Sequence, residues 1–170
     1  LTAEERQQIR QAKLQHFEAL FHPQPIPGVY DLFAVIEQLG YPVVVVTGSE
    51  KRAASRILQQ INLLDRVQIL IDGDAVAQGK PAPDPFLKAA ELLGQPHEHV
   101  LVVENAPAGI ESATAAGLPC LAVETTLPRE HLMRADRRLP DLPAVTAFLE
   151  AEHALSVGKG RWQLEVLPEA

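Results

Sequence analysis

Residues 43–52 read VVVVTGSEKR, in which four valines lead through Thr-Gly-Ser into a charged segment. A strand that is buried on both faces is continuously β-branched, whereas a half-buried strand alternates apolar and polar side chains. A hydroxyl-rich turn between such a strand and a helix is also where α/β proteins often bind anions. The stretch therefore predicts a buried parallel strand followed by a helix. Its turn is either an ordinary connection or a phosphate site.

The same alternation of short apolar runs and helical segments continues along the chain. Further strands are predicted at residues 67–71, 100–103 and 120–123, and helices at residues 29–39, 51–62, 85–93, 128–135 and 143–155, with an alanine-rich helix ending at Gly117. This pattern predicts an α/β fold with three layers, a Rossmann-like parallel sheet that carries helices on both faces. Ligands bind such sheets beyond the carboxyl ends of the strands.

Composition narrows the class of protein. The 170 residues suit one globular unit, and the net charge of -7 argues against nonspecific binding to nucleic acid or to anionic membranes. No apolar run approaches the roughly 20 residues that cross a bilayer, and no secretory signal is recognisable. The single cysteine, Cys120, lies in the apolar run LPCLAV. We therefore expect a buried thiol, no disulfide framework and a cytoplasmic protein.

Two polar loops are candidate phosphate-binding sites. The Thr47 hydroxyl and the N–H groups of Gly48 and Ser49 could donate to phosphate oxygens beside a helix N-terminus. Lys80 stands before a proline in GKPAPDP, which restricts its backbone. Its ammonium could neutralise both a carboxylate and a transferring phosphoryl group, although a lone lysine is more often a solvated surface residue.

Glu104 and Asn105 follow the strand at residues 100–103 and are candidate magnesium ligands, because hard cations prefer oxygen. The alternative is an acidic residue that interacts with the dipole of the following helix. The six histidines show no metal-ligand spacing, and His97 and His99 are expected on the surface.

Taken in order, VVVVTGS, GKPAPDPF and VVENAPAGIESATAAG resemble motifs two, three and four of the haloacid dehalogenase superfamily. The nearest resemblance is to the β-phosphoglucomutase-like phosphatases and mutases, and it covers residues 2–149. It implies that Thr47 and the Gly48 amide hold a phosphoryl group whose charge Lys80 stabilises. Glu104 and Asn105 would occupy the Mg²⁺ positions. Many members have Glu-Asp at this point, so the asparagine removes one negative charge.

The resemblance also implies a domain organisation. Residues 1–22 would be a remnant of the helical cap, residues 23–155 the core domain, and residues 156–170 a tail. Within the tail, Trp162, Leu164 and Val166 alternate with polar residues, which suits an edge strand. A central parallel strand should instead be apolar throughout.

One part of the family pattern has no counterpart. The nucleophilic aspartate, usually in D-x-D-G-T or D-x-D-G-V after the first core strand, would precede the cap. The sheet is therefore expected to be incomplete at the N-terminus, without its central first strand. The D-x-D at Asp72 to Asp74 follows motif two instead and lies only six residues before Lys80. We interpret it as a turn with Asp74 as a cap rather than as a rearranged nucleophile.

Three functional hypotheses follow from this pattern. The first is a Mg²⁺-dependent phosphohydrolase, either a phosphatase or a phosphomutase. It would act on a small phosphorylated metabolite through an aspartyl-phosphate, and this chain alone would be inactive. The second is a phosphate-binding pseudoenzyme without a nucleophile. The third is a chain whose first strand and aspartates come from a partner chain or from a missing N-terminal segment.

Overall fold

The structure, a computed structural model, describes residues 1–2, 4–9, 11–12 and 22–156. Residues 4–9 and 11–12 are helical, and a capping box formed by Thr2 and Glu5 is present at their start. The Thr2 N–H donates to Glu5 Oε2 at 2.7 Å, and the Glu5 N–H donates to Thr2 Oγ1 at 3.1 Å. The edge strand predicted in the tail lies outside the described residues. The division into cap remnant, core and tail remains a prediction.

The described residues form an alternating α/β series. Its strands are β1 (Val44–Val46), β2 (Ile69–Ile71), β3 (Val102–Glu104), β4 (Cys120–Val123) and β5 (Arg137–Leu139). Its helices are α1 (Val29–Gln38), α2 (Lys51–Gln60), α3 (Asp84–Leu93), α4 (Pro107–Ala115) and α5 (Leu142–Ser156). None of the helices in these ranges has the length and apolar character that a membrane span requires.

All strand pairs are parallel, as the sequence predicts, but they form two separate sheets. β1 pairs with β2, and β3, β4 and β5 follow one another in a second sheet. The Rossmann-like α/β class is confirmed. Among the described residues, no strand joins the two sheets.

β4 forms the centre of the core, because all four of its residues are buried. Cys120 and Ala122 pack into one cluster with residues of α3 and α4, and Leu121 and Val123 into another with residues of α1 and α5. The strand thus has helices on both faces, which is why its sequence is apolar throughout. Burial raises the pKa of the Cys120 thiol to about 12, so the thiol stays protonated. The prediction of a buried strand cysteine is confirmed.

The helix predicted at residues 128–135 is wrong. The structure has only a short 3-10 helix at Arg129–His131, followed by β5. Leu132 and Ala135 are buried at helical spacing, which explains the error. Two hydrogen bonds hold Asp136 beside β4. The Asp136 carboxylate accepts the Cys120 N–H at 2.8 Å, and the Asp136 N–H donates to the Cys120 carbonyl at 3.1 Å.

A gap separates β1 from β3, and we call it the trench. It is a cavity of about 670 Å³. Among the described residues, neither facing edge pairs with a further strand. Val103, in the middle of β3, is 42% exposed, whereas its register partner Leu121 is fully buried. Helices wall the trench on both sides: α1 and α5 contribute Leu32, Ile36 and Leu149, and α3 contributes Phe86, Ala89 and Leu93.

Candidate active site

Lys80 joins the carboxyl ends of β1 and β3 at one end of the trench. Its Nζ donates to the Val46 carbonyl at 3.1 Å, and it forms an ion pair with Glu104 Oε1. Val46 ends β1 and Glu104 ends β3, so the two strands point their carboxyl ends at the same ammonium. The Lys80 and Glu104 side chains are 19% and 11% exposed. Lys80 also lies 4.8 Å from the centre of the Phe86 ring, within cation–π range.

Backbone donors and a glycine hold the Glu104 carboxylate in place. Its Oε2 accepts the N–H groups of Asn105 at 3.0 Å and of Ala106 at 3.4 Å. Gly109, one turn into α4, lies directly against it, and a Cβ placed there would fall 2.1 Å from the Glu104 carboxyl carbon. Both oxygens of Glu104 are therefore already engaged, one by Lys80 and the other by backbone N–H groups.

Asn105 is held by the loop that follows β4. Its Nδ2 donates to Thr125 Oγ1 at 3.2 Å, and the Thr126 hydroxyl donates to the Asn105 carbonyl at 3.3 Å. With its nitrogen on Thr125, the amide keeps its oxygen, Oδ1, as the atom available to a cation. The sequence interpretation did not include these threonines. Their position at the carboxyl end of the fourth strand was the signal that could have found them.

The turn after β1 starts one residue beyond the carbonyl that Lys80 contacts. The Thr47 N–H donates to the Ile71 carbonyl at 2.9 Å, and the Ser49 N–H donates to Thr47 Oγ1 at 3.1 Å. The Ser49 amide is thus engaged inside the turn, and its donation to phosphate stays a prediction. No atom lies within 4 Å of a Cβ built on Gly48, so the space on that side of the backbone is open.

The D-x-D at residues 72–74 forms a turn, as interpreted from the sequence. The carboxylate that caps this turn belongs to Asp72 and not, as predicted, to Asp74. Asp72 Oδ1 accepts the Asp74 N–H at 2.9 Å. Gly73 between them donates its N–H to the Ser49 carbonyl at 3.0 Å, and a Cβ on Gly73 would meet the Gly48 oxygen at 2.6 Å. The turn therefore packs against the Thr47 turn, and only glycine fits at its centre.

The two predicted magnesium ligands lie side by side in the structure, and magnesium binding by them stays a prediction. Glu104 and Asn105 are oxygen donors of the right kind and are adjacent at the end of β3. However, no group of three His, Cys, Asp or Glu side chains in the described ranges is placed to hold a metal ion. His97 and His99 are exposed on a short 3-10 helix, as predicted.

Comparison with known proteins supports the sequence interpretation. Residues 1–117 match the family model of haloacid dehalogenase-like hydrolases. The chain is 34% identical over 120 residues to validoxylamine A 7'-phosphate phosphatase of Streptomyces hygroscopicus, an alignment that covers 71% of this chain and 56% of that protein. It is 31% identical over 137 residues to phosphoglycolate phosphatase of Neisseria gonorrhoeae, covering 76% of this chain and 57% of that protein.

A solved structure from Bacteroides vulgatus, provisionally named as a β-phosphoglucomutase, is similar to this chain with a TM-score of 0.79 and 28% identity. The alignment covers 94% of this chain and 65% of that one. The chain thus spans little more than half the length of the two phosphatases above. The matched residues include all three polar loops that contain Thr47, Lys80 and Glu104. The chain therefore belongs to the haloacid dehalogenase-like hydrolases and is similar to their β-phosphoglucomutase-like members.

Proposed function

We propose that this chain forms the phosphate-binding part of a Mg²⁺-dependent phosphohydrolase that acts on a small phosphorylated metabolite. The observation that carries the proposal is the ion pair of Lys80 and Glu104, set one residue from the Thr47 turn at the carboxyl edge of the sheet. The names of the similar phosphatases support the reaction class, because both describe removal of phosphate from a small molecule. The free, buried Cys120 is consistent with a cytoplasmic location, which belongs to the same proposal.

Each residue of the site has a defined role in this proposal. The Thr47 hydroxyl and the Gly48 N–H bind phosphoryl oxygens, and the Lys80 ammonium neutralises charge that develops during transfer. Ser49 acts differently from its sequence prediction: its N–H holds Thr47 Oγ1 at 3.1 Å, leaving the hydroxyl proton of Thr47 to point at the ligand. Ser49 thus orients the donor instead of binding phosphate.

Glu104 and Asn105 would contribute oxygen ligands to a magnesium ion, together with carboxylates that the described residues do not supply. When bound, the ion would neutralise negative charge on the phosphoryl group. Because Asn105 is neutral and Glu104 is paired with Lys80, we expect the chain alone to bind Mg²⁺ weakly. Thr125 would keep the Asn105 oxygen turned towards the ion.

The nucleophile requires a segment in the trench. Glu104 is unsuitable as the attacking group, because Lys80 and two backbone N–H groups hold its oxygens. A strand inserted between β1 and β3 would pair with both edges, run parallel to both and end beside Lys80. Since helices cover both faces of the trench, its side chains must be apolar on both sides. We propose that a segment N-terminal to this chain, or a partner chain, supplies this strand and ends it in two aspartates.

In the proposed reaction, that strand supplies the reacting aspartates and this chain binds the phosphoryl group. The first aspartate attacks phosphorus, the bond from phosphorus to the substrate oxygen breaks, and the second aspartic acid protonates the departing oxygen. Water then hydrolyses the aspartyl-phosphate and regenerates the carboxylate. Throughout, Thr47, Gly48 and Lys80 hold the phosphoryl oxygens.

Reconstitution of the sheet tests the proposed function. We expect the chain alone to show no Mg²⁺-dependent hydrolysis of p-nitrophenyl phosphate above background. A fusion that adds an apolar strand ending in Asp-x-Asp should show turnover. Replacing the first aspartate of that strand by asparagine, or Lys80→Ala in the chain, should abolish it. Turnover by the chain alone that Asp72→Asn removes would contradict the proposal and make Asp72 the nucleophile.

A phosphate-binding protein without catalysis is the second candidate, because the Thr47 turn and Lys80 are in place without a nucleophile among the described residues. Phosphate at about 100 times its dissociation constant would add about 2.7 kcal/mol to the free energy of unfolding. We therefore expect millimolar phosphate to raise the Tm of the chain, and Lys80→Ala to remove the increase. The increase without any turnover in the fusion protein would favour this candidate, and no increase would count against both.

A further inference from the structure

One face of α4 contacts Glu104 and the loop that contains Lys80. Gly109 and Ser112 are three residues apart on this helix, so they lie on the same side. Gly109 lies against the Glu104 carboxylate. The Ser112 hydroxyl donates to the carbonyl of Ala82, two residues after Lys80, at 2.5 Å.

Ser112 is exceptional in its burial. In the part of the chain that the structure describes, it is the one polar side chain among the buried residues, with no exposed surface. A buried hydroxyl destabilises the fold unless it is hydrogen-bonded, and the half-buried Ala82 supplies a carbonyl acceptor for it. The bond to Ala82 satisfies both groups. It therefore holds the loop against α4 firmly.

The loop that contains Ala82 also contains Lys80. The Ala82 N–H donates to the Gly79 carbonyl at 3.0 Å, which closes a turn around Lys80. Ala82 thus anchors the turn to α4 through its carbonyl and closes the turn through its N–H. A change at Ser112 would move the turn and displace the Lys80 ammonium from Val46 and Glu104.

We propose that this face of α4 sets the contact between Lys80 and Glu104: Gly109 admits the carboxylate, and Ser112 is a positioning residue for the lysine. The significance for catalysis rests on the proposed function, since Lys80 is the cation that binds the phosphoryl group there. The positioning itself depends only on contacts within this chain. It can therefore be measured without turnover.

Lysine acetylation followed by mass spectrometry measures the positioning directly. In the native chain Lys80 should react slowly with acetic anhydride, because its Nζ is engaged and largely buried, whereas the exposed Lys51 should react fast. Ser112→Ala is expected to raise the acetylation rate of Lys80 several-fold relative to Lys51. Ser112→Cys keeps a weak donor and should give an intermediate rate.

Two control variants on α4 separate positioning from general stability. Thr114→Ala removes a hydroxyl that donates to the Ile110 carbonyl within the helix at 2.9 Å, away from the Lys80 loop, and should leave Lys80 protected. Ile110→Val loosens the buried core of the same helix and should lower the Tm without selective exposure of Lys80.

Equal acetylation of Lys80 in Ser112→Ala and Thr114→Ala would overturn the inference, as would equal exposure in Ile110→Val at a matched loss of Tm. Selective exposure in Ser112→Ala would support it even if the fusion protein showed no phosphatase activity. The failure of the proposed function and the failure of the positioning inference are thus seen in different measurements.

Discussion

Gly109→Ala is expected to break the Lys80–Glu104 ion pair and to destabilise the fold. A Cβ at Gly109 would lie 2.1, 2.2 and 2.4 Å from the three atoms of the Glu104 carboxyl group, well inside the 3.0 Å that real Cβ atoms respect. Inserting a carbon into a packed site typically costs about 1–3 kcal/mol. We expect a loss in this range in urea unfolding, although helix propensity alone would favour alanine by about 1 kcal/mol.

The double variant with Glu104→Ala makes this prediction specific. Glu104→Ala alone should destabilise the chain, because it leaves a largely buried Lys80 without its partner. Once the carboxylate is gone, the three atoms nearest to the added methyl group of Gly109→Ala are gone as well. The second substitution should then be neutral or stabilising, so the sign of its effect reverses. An equal loss in both backgrounds would show that Gly109 is required for another reason.

Leu121→Ala is expected to cost far more stability than Val103→Ala, although the two residues are register partners on adjacent strands. Leu121 is fully buried in β4, and such truncations typically cost about 2–5 kcal/mol. Val103 is 42% exposed because its strand edge faces the trench, so we expect about 1 kcal/mol or less. Urea unfolding of the two variants measures both losses.

Completion of the sheet should change the loss of unfolding free energy for only one of these two variants. In the fusion that adds the trench strand, Val103 would become buried, and Val103→Ala should cost more than it does in the chain alone. Leu121 is already buried, so Leu121→Ala should lower stability by the same amount in the fusion and in the chain alone. If Val103→Ala were as costly as Leu121→Ala in the chain alone, the trench would be closed in solution and the proposed strand would have no site.

These expected results depend on how the two separate sheets are connected at their carboxyl ends. Among the described residues, Lys80 is the side chain that contacts the carboxyl ends of both β1 and β3. Its loop is held in turn by Ser112. The site is therefore partly assembled before any strand fills the trench. A strand that supplies the aspartates would bind beside Lys80 and the turn at Thr47, both of which are already in position.

The sequence by itself determined the class of fold, and it indicated the polar loops that form the candidate site. The valines before Thr47 and the apolar run around Cys120 are typical of strands buried on both faces, and both form parallel strands. β4 is buried as predicted, whereas β1 is only half-buried because it lines the trench. Gly94 ends α3 in the left-handed conformation with φ of 61°, as a glycine at that point indicates. Each of these signals lies within one element and its immediate neighbours.

The tertiary structure alone decided which groups meet. β5 was missed because Arg137 and Arg138 do not read as a buried strand, and it forms beside β4, where Asp136 binds Cys120. The Ser112 hydroxyl reaches a loop 30 residues earlier in the chain. Local propensity and burial pattern determine the elements, whereas contacts between elements depend on how distant residues pack together. The pattern of residues along the chain does not contain that information in any single stretch.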